Sequence, residues 1–290
     1  MDAIRTDLND KGYCIIPNVL SENEIDICKQ SFHKWLYSIP QYDIISKNVI
    51  HNGIYKYYHA GHTWHAWYIR THPYIQRIFK YLFDCDELIV SFDGCCYISK
   101  QDDTKDSCWT HTDQAPSTKG FQCYQGLVSL TNNKERTLVV YEKTHLLHET
   151  YFKERGICHT NNWHVIDKSD VEKMEYKKKI LHVPAGSLVL WDSRLFHQNQ
   201  FGKQCSEERM VQYICYLPKS HPNNTSSTKI ERLNCFENRL TTTHWPAPLF
   251  INRLIPCPNK YPFLEQNDIS SCTLQDLSNI DKKSIMKLIL

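Results

Sequence analysis

The 290-residue chain is 41% hydrophobic and carries 17 Tyr, 11 Phe and 7 Trp, a composition that fills a packed core and excludes a disordered chain. Lys and Arg total 34 against 32 Asp and Glu, a formal charge of +2, so no global field directs it to nucleic acid or to an anionic membrane. The polar, acidic opening lacks the apolar stretch of a signal peptide, no apolar run reaches the ~20 residues of a membrane span, and 13 scattered cysteines suit a reducing compartment; a cytoplasmic protein is expected.

The first strong element is a helix. Ser21 with Glu24 forms a capping-box pattern, and Ile25, Cys28, Phe32, Trp35, Leu36 and Ile39 recur at helical spacing until Pro40. A second helix starts at Pro73, where the missing N–H costs nothing, with Ile75, Ile78, Phe79 and Leu82 as its buried stripe. From residue 88 short apolar runs alternate with polar turns. Strands are expected over Leu88–Ser99, Gly126–Thr131, Thr137–Tyr141, Leu181–Val183, Ser187–Trp191 and Val211–Leu217, which points to a mainly β sandwich or barrel with flanking helices. Residues 142–179 read as an insertion with a short helix, and Lys177 to Lys179 as a solvated loop or helix end. After Pro218 the chain turns polar, then Pro-rich and aromatic, an irregular extension laid on the core. The expected organisation is a helical region over residues 1–87, a β core over 88–220 and an extension over 221–290.

In Trp109-Thr-His111-Thr-Asp113 an extended backbone points His111 and Asp113 to one side. A buried carboxylate needs a partner, because stripping its water is costly, and a divalent cation supplies one. Eighty-four residues beyond Asp113, the apolar run Ser187-Leu-Val-Leu-Trp-Asp enters a polar turn and delivers His197. Two histidines and one carboxylate on one face of an octahedral ion leave three positions open, the pattern of non-haem Fe(II) oxygenases; a closed zinc site would want four ligands. Arg209 follows twelve residues later on a strand, aligned with Val211, Tyr213 and Cys215. An arginine among apolar neighbours must meet an anion, and its planar fork matches a carboxylate. A dicarboxylate such as 2-oxoglutarate could chelate the metal at one end and pair with Arg209 at the other.

The segments Ser91-Phe-Asp-Gly94, His111 to Asp113, Thr137 to His145, Gly186 to His197 and Arg209-Met-Val-Gln-Tyr resemble the phytanoyl-CoA dioxygenase family, over roughly residues 10–220. The resemblance implies a double-stranded β-helix (a cupin-like jelly roll), Fe(II), O2 and 2-oxoglutarate, with ascorbate as a stimulant and succinate and CO2 as co-products. It also implies a cosubstrate contact from Asn199 and weaker candidates in Lys100 and in Gln125 or Tyr124, each set against a solvated or packing role. Trp109, Trp191 and Phe196 are candidate apolar walls, with packing as their alternative. Glu142-Lys-Thr stands where the family usually carries Pro-Gly-Ser.

Three rival readings accompany this one. His59, His62 and His65 could hold a second metal, although Gly61 weakens a helix there and a loop near the pocket mouth is the simpler expectation. A non-catalytic metal-binding cupin-like protein would keep the same ligands. An oxygenase could act on protein or nucleic acid, but no basic groove interleaved with aromatics is visible; a small organic substrate, a lipid or metabolite, is expected. The sequence leaves the oligomeric state open, and Thr241 to Phe263 is read as packing over a lid or a dimer surface.

Overall fold

The computed structural model describes residues 1–264, 269 and 272–290; positions 265–268, 270 and 271 of the expected extension lie outside the described residues. The chain forms two compact units, one from Met1–Pro17 and Ile98–Arg209, the other from Asn18–Tyr97 and Met210–Leu290.

The first unit carries strands of two antiparallel sheets. In one, Leu188–Asp192 lies between Tyr13–Ile16 and Tyr124–Ser129. Every residue of Leu188–Asp192 and of Tyr124–Ser129 is buried; Leu188–Trp191 therefore reads as a continuous apolar run without alternation, whereas Tyr124–Ser129 also buries the polar Gln125 and Ser129. The other sheet runs His164–Val165, His111–Thr112, His197–Asn199, Leu138–Tyr141, Lys178–Ile180. Trp191 of the first sheet meets His197 of the second at a ring separation of 5.3 Å. This is the mainly β, jelly-roll layout with flanking helices that was expected, but the barrel is corrected: the strands make two sheets that do not close on themselves.

Two further differences have local causes. The polar opening forms a helix, Asp2–Lys11, whose buried residue is Leu8 and which ends on Gly12 at φ 89°. That left-handed position suits glycine, and a Cβ there would meet the His145 ring at 2.5 Å. The strand expected at Leu181–Val183 begins earlier, at Lys178–Ile180, with Lys179 opposite Val140 and Ile180 opposite Val139. Lys178 and Lys179 are therefore strand residues, not a loop or helix end. Charged side chains on an edge strand hide its apolar period and discourage further pairing.

The second unit holds both expected helices. Glu22–Leu36 starts in a complete capping box at Ser21 and Glu24 and buries Ile25, Cys28, Phe32, Trp35 and Leu36. Pro73–Phe83 opens on proline and buries Ile75, Ile78, Phe79 and Leu82. The run expected as one strand, Leu88–Ser99, splits into Leu88–Val90 and Cys95–Ile98. Between them the carbonyls serve other groups: Phe92 accepts from Thr242 N, Asp93 from Arg70 Nη2 (2.9 Å), and Gly94 from Gln212 Nε2 (2.9 Å). A Cβ on Gly94 would overlap the Tyr55 carbonyl oxygen.

The segment 221–290 is not wholly irregular, for it includes the helices Ser226–Glu237 and Lys282–Ile289. The first buries only Thr228, Arg232 and Cys235, too thin and polar a stripe to register as amphipathic. Buried Arg232 ties it down by donating to Ile289 O (2.7 Å), Pro246 O (2.9 Å) and Asn224 Oδ1 (2.5 Å). Thr241 Oγ1 accepts from Gly61 N at 3.0 Å, and Trp245 is buried, so this stretch of the tail packs.

His59, His62 and His65 belong to this unit and satisfy structural bonds: His59 Nδ1 with Arg239 O (3.0 Å), His62 Nε2 with Leu240 O (3.0 Å), His65 with Ser31 and Thr63 hydroxyls (3.3 and 3.0 Å). His62 and His65 are buried, which corrects the expected mouth loop, and the carbonyl and hydroxyl partners replace a second metal.

Candidate metal centre and active site

His111, Asp113 and His197 converge. One ligand atom from each lies within 4.8 Å of the others, and all three residues are buried. His111 and His197 are direct partners on antiparallel strands, with ring centroids 4.4 Å apart. Asp113 sits two residues after His111 and reaches both: Oδ1 is 3.4 Å from His111 Nε2 and Oδ2 is 3.2 Å from His197 Nε2.

The backbone fixes both imidazoles. His111 Nδ1 donates to Trp109 O at 3.1 Å and His197 Nδ1 to Leu195 O at 2.9 Å. A carbonyl only accepts, so Nδ1 of each ring carries a proton and each Nε2 faces the Asp113 carboxylate, where in a neutral ring it presents a lone pair. Lone pairs against a carboxylate at 3.2–3.4 Å repel unless a cation lies among them. The donor set therefore fits a divalent metal, with the Nδ1 bonds as the outer contacts that orient such ligands.

Asp113 is held from behind. Its N–H donates to Ser193 O at 3.1 Å, Thr112 Oγ1 donates to the same oxygen at 3.0 Å, and Ser193 Oγ donates to Gln114 Oε1 at 2.8 Å. Trp109 stacks on His111 with centroids 4.6 Å apart and an interplanar angle of 18°. Trp109 and Trp191 thus pack against the two histidines, whereas Phe196 packs into a hydrophobic cluster with Val139, Tyr151 and Phe152.

Arg209 is buried. Its Nη2 donates to Asn199 Oδ1 at 2.9 Å and its Nη1 to Arg136 O at 3.4 Å, while Nε has no hydrogen-bond partner. Asn199 shares the strand of His197 and lies two residues along, on the same face. Gln125 lies directly opposite Trp191 and so shares its face; both amide atoms of Gln125, and the Trp191 indole nitrogen, are buried without a hydrogen-bond partner. Orphaned buried polar atoms are costly and mark where a polar ligand would complete the site. Tyr124 has its pKa pushed up, by burial first and then by the Asp192 charge. Lys100 is an exposed turn residue, the solvated alternative given for it.

Sequence reasoning missed Trp163, an exposed indole whose ring meets the His111 ring edge-on at 6.5 Å. It also missed Arg136, buried on the strand side of a charged run.

Two antiparallel sheets with a His-x-Asp and a distant His gathered on one of them define a jelly-roll protein with a facial metal site. The chain belongs to the phytanoyl-CoA dioxygenase (PhyH) family, whose profile matches residues 8–200. The Ava biosynthesis cluster protein O of Aspergillus versicolor is 30% identical over 204 residues, 66% of this chain and 65% of that protein; the match spans just under two thirds of the relative. Among solved structures, GlcNAc Inducible Gene 2 from Candida albicans is similar over 97% of this chain and 74% of its own, with a TM-score of 0.66 at 16% identity. HygX from Streptomyces hygroscopicus, with nickel and 2-oxoglutarate bound, is similar over 76% of this chain and 88% of its own, with a TM-score of 0.52 at 13% identity.

Proposed function

We propose that the protein is an Fe(II)- and 2-oxoglutarate-dependent dioxygenase that hydroxylates a C–H bond of a small organic molecule, a lipid or metabolite. The observation that carries this reading is the pair of Nε2 lone pairs turned onto one carboxylate, an arrangement that a divalent cation completes. Family membership agrees with it. All the residues invoked lie in the unit built from 1–17 and 98–209, to which the reading assigns the reaction.

His111, Asp113 and His197 would hold the iron, and the Nδ1 bonds to Trp109 O and Leu195 O keep both rings aimed. The iron would activate O2 with 2-oxoglutarate as reductant, one oxygen atom entering succinate as CO2 leaves and the other entering the substrate. Arg209, steadied by Asn199, would grip the distal carboxylate of the 2-oxo acid in a charge-assisted bond. Gln125 offers an amide to a polar group of the cosubstrate or substrate. Trp109 and Trp191 keep water from the histidines.

The substrate class rests on the recess. His111, Asp113 and His197 are only 8%, 8% and 4% exposed, which favours a slender molecule over a folded macromolecule. Exposed Trp163 gives that molecule an apolar face beside an iron ligand. The thirteen cysteines form no disulfide among the described residues, which supports an intracellular setting. No helix among the described residues is long and apolar enough to cross a membrane.

The test is incubation of the protein with Fe(II), ascorbate, O2 and 2-oxoglutarate, with succinate as readout. Metal-dependent succinate production is expected. None above the level of the Asp113→Ala variant, across a panel of lipids and metabolites, would favour the non-catalytic metal-binding alternative.

A further inference from the structure

We propose that Arg136 is a second guanidinium for the distal carboxylate of the 2-oxo acid, acting beside Arg209. The inference rests on the 2-oxoglutarate reading above and assigns a role to a residue that this reading does not use.

Strand register places it. Val140 lies opposite His197, and Leu138 opposite Asn199. Directly opposed residues share a face and alternate residues repeat it. Val140 and Leu138 therefore share the face that presents His197 and Asn199, and Arg136 precedes Leu138 by two residues in a bend where the N–H groups of Glu135 and Arg136 both donate to Glu207 Oε1. Pairing still holds at that end, because Gln200 N donates to Thr137 O at 2.9 Å. Arg136 thus adjoins the end of the ladder beyond Asn199, away from the His197 rung. Arg209 sits between, donating to Asn199 Oδ1 on one side and to Arg136 O on the other.

Burial makes the placement informative. Arg136 and Arg209 are each 1% exposed. Arg136 donates from Nη2 to Asp102 O at 2.7 Å, but its Nε and Nη1 have no partner, and Arg209 Nε is likewise unpartnered. Among the described residues no carboxylate pairs with either guanidinium. Each buried cation carries a desolvation cost and leaves donors unsatisfied. Desolvating one such ion costs several kcal/mol. An anion shared between the two forks removes both penalties, and a carboxylate has the shape and the lone pairs to accept from both. Arg209 bonds Asn199, two residues beyond His197 on the same face, the direction in which the far end of a metal-held five-carbon diacid would extend.

Isothermal titration calorimetry with Mn(II) in place of iron tests this without turnover. Two ligands are compared, 2-oxoglutarate and 2-oxopentanoate, which has the same carbon chain without the distal carboxylate. Arg136→Gln should weaken 2-oxoglutarate about tenfold or more, as expected for losing a charge-assisted bond, while leaving 2-oxopentanoate within about twofold; Arg136→Lys should recover some of the loss. Equal weakening of both ligands would show that Arg136 only supports the loop at Asp102, and an unchanged affinity for 2-oxoglutarate would also overturn the proposal. If the variants do not fold, arginine Nε–H resonances of the wild-type protein decide: two should move together when 2-oxoglutarate is added, and movement of one alone refutes the role. Failure of the wild-type protein to bind 2-oxoglutarate at all would instead sink the dioxygenase reading itself.

Discussion

His111 and His197 face each other across a single antiparallel rung, although 86 positions separate them in the chain. Both side chains of such a pair leave the sheet on one face, so one backbone contact sets their spacing, and Asp113 completes the set from two residues along. The metal site is thus a property of one strand pair, and single substitutions in it need not disturb the packed sheet behind.

His111→Ala and Asp113→Ala should each yield a folded protein that binds metal more than about a hundredfold more weakly, since even groups that only orient ligands are worth about 10- to 100-fold. Metal content after dialysis, read beside far-UV circular dichroism, checks both halves. Metal retained at full stoichiometry would displace the triad.

Arg209→Ala should raise the apparent requirement for 2-oxoglutarate by about 10- to 100-fold, the worth of a charge-assisted bond, with a smaller effect on the limiting rate. An unaltered requirement would place the cosubstrate acid elsewhere.

Stability should fall on mild acidification through buried histidine. Burial first, and then the nearby Arg70 cation, pull the His65 pKa from 6.5 to about 3. The unfolded chain takes up the proton near 6.5 and the folded chain only near 3, so the unfolded state binds more protons throughout that window. Stability is therefore lost as pH drops below about 6.5. His65→Gln, which keeps polar contact with Ser31 and Thr63, should show a shallower decline of Tm between pH 7.5 and 5. Equal slopes would mean that His65 already carries its proton in the fold.

Gly94→Ala should destabilise the second unit by about 3 kcal/mol, because the new methyl overlaps the Tyr55 carbonyl and backbone must shift to admit it. Thermal or urea denaturation reads the effect, and a change below about 0.5 kcal/mol would show that the two segments separate freely.

The triad was legible because period-two alternation converts His-x-Asp into a shared face, and because Leu188–Asp192 is too apolar to be anything but a buried strand leading to His197. Arg209 stood out as a cation among apolar neighbours. Arg136 did not, since Lys134-Glu135-Arg136 reads as a solvated turn and nothing in the sequence marks its burial. The break at Ser91 to Gly94 was hidden for another reason: carbonyls are diverted there to Arg70, Gln212 and Thr242, whose positions come from remote stretches of the chain. Trp163 escaped notice because an isolated aromatic in a polar insertion carries no period.

The lysine-bearing border at Lys178–Ile180 has a consequence in concentrated solution. Its outward row of amide groups could template a strand from another molecule, but Lys178, ion-paired with Glu175 at 2.9 Å, and Lys179, 3.9 Å from Glu142, line that margin with hydrated charge pairs. A second copy approaching margin to margin would have to strip water from those ion pairs, so the sheet resists growing by accretion.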